Sequence, residues 1–260
     1  MVEEVAVPNG AGEAELAVEL AQDRAALLAR SSTAEQVAQT LRARIMAGFF
    51  PPGAHLSEEA LASGLAVSRN TIREAFRLLC HEWLAVHELN RGVFVAVPSA
   101  DDLADLYRIR RIVETSAATM ADSAPHPALQ AVRDAVNQGR RAAAAGRWAD
   151  VGTADIAFHQ AVTGLAASSR LDEMMRRVLA ELRLAFHVMA DPGHFHAPYL
   201  ERNAKIATLL EHGEGAQAAR ELDAYLADAE AQVLEAYQAA REGSAGASAR
   251  VRTPLRPAQP

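Results

Sequence analysis

Apolar residues recur three and four positions apart over most of this 260-residue chain, and in one short stretch they alternate instead. The first clear run follows Thr33 and Gln36, which make a capping-box pair, and places Ala34, Val37, Ala38, Leu41 and Ile45 on one face of a helix ending near Gly48. Pro51, Pro52 and Gly53 break that helix. A short helix follows Ser57, and a turn is expected at Gly64 to Val67. Ser68 then caps a longer helix on which Ile72, Ala75, Phe76, Leu79 and Trp83 share an apolar arc. Leu84 to Leu89 and Val93 to Val97 partly alternate, with Asn90, Arg91 and Gly92 as turn chemistry between them, so they predict a two-stranded hairpin.

From Ser99 the pattern is helical only. About six helices are expected to residue 241, broken near Pro125 to Pro127, Gly146, Ser168 to Ser169, Asp191 to Pro198 and Gly213 to Gly215. The fold class is therefore mainly α: an N-terminal winged helix-turn-helix over residues 33–98, then an all-α helical bundle over 99–241. Residues 1–32 form an N-terminal extension that reads equally as an accessory helix or a frayed acidic segment. Residues 242–260 turn to Gly, Ser, Ala, Pro and Arg and predict a disordered basic tail.

The polar face of the 68–83 helix carries the chemistry. Arg69, Arg73 and Arg77 form a stripe beside Asn70, with Ser68 and Thr71 at the helix start. Forked guanidinium donors suit guanine, an amide can pair with adenine, and hydroxyls suit phosphate. Any three arginines can also be a solvated basic face. Here the preceding helix and turn and the following hairpin favour a DNA-reading helix, with Asn90, Arg91 and Gly92 at the wing tip against phosphate or the minor groove.

Net charge changes this picture once it is divided along the chain. The total of −7 resolves into −4 over residues 1–32, 0 over 33–97, −5 over 98–241 and +2 over 242–260. The winged segment is a neutral island whose arginines gather on one helix and the wing, while the acidic remainder limits non-specific DNA binding. The single cysteine, Cys80, rules out an intramolecular disulfide framework and a Cys-based zinc finger. With 50% hydrophobic residues, 5% aromatics, no signal segment and no apolar run long enough to span a bilayer, the expectation is a cytoplasmic protein with no membrane partner.

In the helical half, Leu103, Leu106, Tyr107, Val113, Ala117 and Met120 form a buried stripe that also contains Arg110 and Glu114. An arginine aimed at a core needs a partner. Either Glu114 pairs with it four residues on, or Arg110 anchors the carboxylate of a small effector. Asp155 and His159, also four apart, share a face with Val151, Phe158 and Val162.

The stretch PPGAHLSEEALASGLAVSRNTIREAF and the wing NRG resemble the GntR family of bacterial transcription regulators over most of residues 33–97. Two features depart from that pattern. Asn70 and Thr71 stand where the family commonly has Thr-Pro, and its usual glycine before the first wing strand is replaced near Glu82 and Trp83. The second half, from DLADLYRIRRIVE through DIAFH to the last long helix, resembles the FCD-type effector domain of the FadR subfamily. The resemblance implies a homodimer on a pseudo-palindromic double-stranded DNA operator, with a small-molecule effector, and repression relieved by ligand.

It also implies that Asp155 and His159 are metal ligands in members where two later histidines complete the set. The later positions here are Asn203 and Tyr225, so a divalent metal is disfavoured and no cofactor is assigned, although His187, His194 and His196 are available as substitutes. The expectation is a polar pocket in which Arg110, Asp155, His159, Asn203 and Tyr225 bind an organic effector, a carboxylate metabolite. The alternatives are a metal-responsive regulator, a metal-dependent hydrolase using Asp155 and His159, and a DNA-binding structural protein with an inert helical body. An enzyme is not expected, because the hydrolase lacks a complete ligand set and a nucleophile motif.

Overall fold

The computed structural model describes residues 33–187 and 192–250. The expected N-terminal extension lies outside them. Helix α1, over residues 33–46, buries Val37, Ala38, Leu41 and Ile45, and Gly48 ends it at φ 78°. A two-residue strand, β1 (His55–Leu56), follows the Pro-Pro bend. Ser57 caps α2 (Glu58–Leu65) by accepting from the Ala60 amide, and Ser68 caps α3 (Arg69–His81) by accepting from Thr71. Gly64 sits inside α2, and the left-handed residue of the turn is Ala66 at φ 53°, so the turn does not use its glycine.

The wing is β2 (Ala85–Glu88) and β3 (Gly92–Val95), antiparallel with Ala85 opposite Val95 and Glu88 opposite Gly92. β1 pairs on the other side of β3, giving the sheet order β1-β3-β2. Both strands are shorter than the apolar pattern suggests. Trp83 leaves the expected apolar arc: it lies just beyond α3 at φ 60° and is 68% exposed. It occupies the left-handed backbone position for which glycine is suited.

Ser99 and Asp102 form a capping box at α4 (Ala100–Ala118). That helix stops before the expected break near Pro125 to Pro127 and yields to a 3-10 turn at Ala121–Ser123, so Met120 is exposed. The body continues with α5 (His126–Ala144), α6 (Trp148–Gly164), α7 (Ser169–Phe186), α8 (Pro192–Glu211) and α9 (Gly215–Arg250). Two expectations are corrected. Residues 192–198 begin α8 rather than a loop, because proline is tolerated at a helix start and Pro198 is carried inside the helix. Residues 242–250 continue α9 where a tail was expected, since a formed helix needs no new nucleus to extend, even across Gly243 and Gly246; residues 251–260 lie outside the described residues.

Two cores result. One packs α1, α3 and the wing strands around Leu41, Ile72, Phe76 and Leu79. The other joins α4 to α9 around Leu103, Phe158, Leu179, Leu182 and Leu222. Helix α7 serves both: Leu179 and Leu182 face the helical body, while Ala180 and Leu184 sit in the winged core. Just past its end, the half-buried His187 bonds the Ile45 and Met46 carbonyls that close α1, and its ring fills the space over Gly48.

Candidate functional site

The polar face of α3 is exposed as its spacing predicts. Arg69, Asn70, Arg73 and Arg77 face solvent, and Ile72, Ala75, Phe76 and Leu79 bury the other side. Ser68 and Thr71 share a hydroxyl contact at 2.8 Å within the cap. At the wing tip Asn90 (φ 61°) and Arg91 are exposed, and Gly92 (φ 103°) leaves room for the His55 ring, which would stand 2.9 Å from any added Cβ. Arg91 stacks over Phe94 and pairs with Glu88.

In the helical body, α4, α6, α8 and α9 bring a polar network into the core. Arg110 donates through Nε to Glu114 at 2.7 Å, and Glu114 meets His159 Nδ1 at 2.5 Å. His159 Nε2 lies 3.2 Å from the Tyr225 hydroxyl, which donates to Asp155 at 2.9 Å; the Asn203 amide donates to the same oxygen at 2.8 Å. Arg110, Glu114 and His159 are at most 2% exposed. Burial alone would raise Glu114 and Asp155. The opposing fields of Arg110 and His159 on Glu114, and of His159 and His196 on Asp155, outweigh it and hold both carboxyls below their usual range. Burial, then the adjacent Asp155, pushes the Tyr225 hydroxyl well above its usual range, so it stays a proton donor.

Four of the five residues expected at an effector pocket therefore converge, but bonded to one another. Arg110 belongs to an ion pair through Nε, with Nη2 buried and unpartnered, so the internal-pair reading holds for its Nε. A small cavity of about 10 Å³ lies alongside, bounded by Asp155, His196, Asn203, Gly139, Val151 and Leu200. Two buried atoms have no partner there, His196 Nδ1 and Asn203 Oδ1. Arg183 approaches from α7, its Nη2 donating to the Ala149 carbonyl at 3.2 Å. A Cβ at Gly152 would lie 2.7 Å from His196 Nε2 and 3.1 Å from Arg183 Nη1. Burial, then Arg183, lowers the His196 imidazole against the pull of Asp155.

The donors do not fit a metal of the implied kind. Asp155 Oδ1 is taken by Asn203 and Tyr225, both His159 nitrogens have protein partners, and among the described residues no group of three or more His, Cys, Asp or Glu could hold a metal ion. His187 is engaged at α1, and the His194 side chain lies outside the described residues. Sequence reasoning missed Arg183, which is only 6% exposed. Its one signal was a charge inside the apolar run VLAELRLAF.

Comparison with known proteins bears on both halves. Residues 33–95 match the model of the bacterial regulatory proteins of the gntR family, and residues 105–228 match the FCD domain. A solved structure from Rhodococcus sp. RHA1, assigned there as a GntR transcriptional regulator, is 47% identical, with a TM-score of 0.76 over 79% of this chain and 99% of that one. The chain belongs to the GntR family. Among curated relatives of this GntR protein, the Nta operon transcriptional regulator of Aminobacter aminovorans is 31% identical over 52% of this chain and 65% of its own length. The gluconate operon transcriptional repressor of Bacillus licheniformis is 36% identical over 34% of this chain and 36% of its own. The chain thus spans about two thirds or less of the curated relatives it matches. These relatives are named as regulators, and no hydrolase chemistry is assembled around Asp155 and His159. No helix among the described residues is long and apolar enough to cross a membrane.

Proposed function

We propose that this GntR protein is a cytoplasmic transcription regulator that binds a pseudo-palindromic operator as a homodimer and represses until a small organic effector binds its helical half. The observation that carries the DNA part is the exposed α3 stripe of Arg69, Asn70, Arg73 and Arg77, followed in the chain by a wing whose tip exposes Asn90 and Arg91. Ser68 and Thr71 supply hydroxyls at the helix start. Repression is supported by the name of the gluconate operon relative, and dimerisation by the family resemblance.

The effector reading rests on unpartnered polar atoms beside a cavity that holds about one water. A ligand larger than water enters only if α8 moves from α5 and α6 or the hydrogen bonds among Asp155, His159, Asn203 and Tyr225 open. That requirement links occupancy to shape. A carboxylate is the ligand class we infer because the cation Arg183 stands beside His196 over Gly152, next to the cavity that His196 lines. Thermal melts with a panel of small carboxylates, run in chelator, test this reading. One of them is expected to raise the melting temperature and shift operator affinity by about 5- to 150-fold, with both responses lost in Asp155→Asn and His196→Ala. A melting shift with zinc or nickel alone, abolished by His159→Ala, would replace it with the metal-responsive reading.

A further inference from the structure

We propose that Glu58 is a positioning residue for base recognition, holding Arg73 with its terminal nitrogens free to read a guanine. Every arginine on the α3 and wing face has a carboxylate beside it. Arg69 meets Glu59 through Nη2 at 3.3 Å, Arg77 meets Glu74 through Nη1 at 2.7 Å, and Arg91 meets Glu88 through Nη1. Arg73 differs, because it meets Glu58 through Nε at 2.9 Å. Guanine O6 and N7 are read by two guanidinium nitrogens in a fork. In the other three pairs the carboxylate holds a terminal nitrogen and so competes with a base for the end of the guanidinium that the fork uses. In the Arg73 pair the end-on fork remains available while the carboxylate stays in place.

Glu58 is itself well held. It is the first residue of α2, directly after the Ser57 cap, where the helix N-terminus favours a negative side chain. An exposed ion pair adds little to folding stability. Its effect lies in fixing a long side chain before the partner arrives, which removes an ordering cost from the specific complex. It also stations a negative charge at the DNA face, where it opposes contacts made to phosphate alone. The inference rests on the reading of α3 as the DNA-facing helix and adds one thing: base preference at the Arg73 position depends on a residue of α2.

The test uses the full chain and duplexes selected from random DNA, with wild type, Arg69→Ala, Arg73→Ala, Glu58→Ala and Glu58→Gln taken through the same selection at fixed salt. Arg73→Ala is expected to erase preference at one guanine in each half-site. Glu58→Ala is expected to weaken the same preference on the order of tenfold, with an unchanged melting curve and no change in preference elsewhere. Glu58→Gln, which keeps an acceptor for Nε, is expected to retain most of it. Glu58→Ala keeping full preference at that guanine overturns the inference while leaving the helix assignment intact. Arg69→Ala and Arg73→Ala both selecting the wild-type sequence would instead remove the helix assignment itself.

Discussion

Glu181 is a carboxyl placed against its own charge. It lines a groove between α4 and α7 with Asp102, Asp105, Arg177 and Trp83, and burial, then Asp102 and Asp105, raises its pKa to about 7. A raised acid favours the protonated form in the folded state. The protein therefore loses stability as pH climbs from the unfolded value near 4.5 through about 7, and the full penalty stands above that. Because the group is about half exposed, solvent screening brings the expected penalty down to about 1 kcal/mol. Glu181→Gln should stabilise the chain at pH 8 and do little at pH 5, checked by denaturant melts at both. Trp83 carries a different strain, a left-handed backbone under a mostly exposed side chain. Trp83→Gly is expected to raise stability by about 1 kcal/mol, read as a higher urea midpoint at constant slope. Gly152 has no room for a side chain. Gly152→Ala should force His196 or Arg183 aside, cost about 1–3 kcal/mol and abolish the effector-dependent rise in melting temperature.

Elements differ in how far the sequence announces them. The caps at Ser68 and Ser99 were legible because they are local: a hydroxyl and an amide three residues apart. The α3 face was legible because its apolar and cationic residues separate at the helical period. β1 was not, since two residues reveal no period and the strand exists only by pairing with β3, where His55 meets Phe94 and Leu56 meets Val93. The start of α8 was hidden by prolines that read as breakers, and Arg183 by neighbours that left no sign of which way it points. The inward turn of Asp155 and His159 was legible, and the family resemblance set Asn203 and Tyr225 beside them; that these groups bond one another, with Glu114 on His159, was not, because hydrogen-bond partners across helices leave no mark on the spacing. Helix α7 shows best what local pattern misses, for one helix feeds two cores. Leu184→Ala should cost about 2–5 kcal/mol and lower the melting of both halves together in one transition, whereas independent halves would show two.

At the scale of the whole molecule, charge and packing divide the work. The neutral winged segment presents its arginines outward, and the helical half carries the net negative charge, the sign that repels a phosphate backbone. Arg69→Ala and Arg73→Ala should each weaken cognate binding by about 1–3 kcal/mol while the melting temperature stays put. Titrations at several salt concentrations separate that loss from a general fall in phosphate contact. The seat of Ala180 and Leu184 in the winged core also bears on how such regulators are recombined. Grafting residues 33–98 onto a foreign sensor would leave a bare apolar socket where α7 belongs, and the clasp of His187 on α1 would be missing. A working chimera of this protein has to import the matching surface of α7 along with the reading head, so the unit of exchange is larger than the segment that touches DNA.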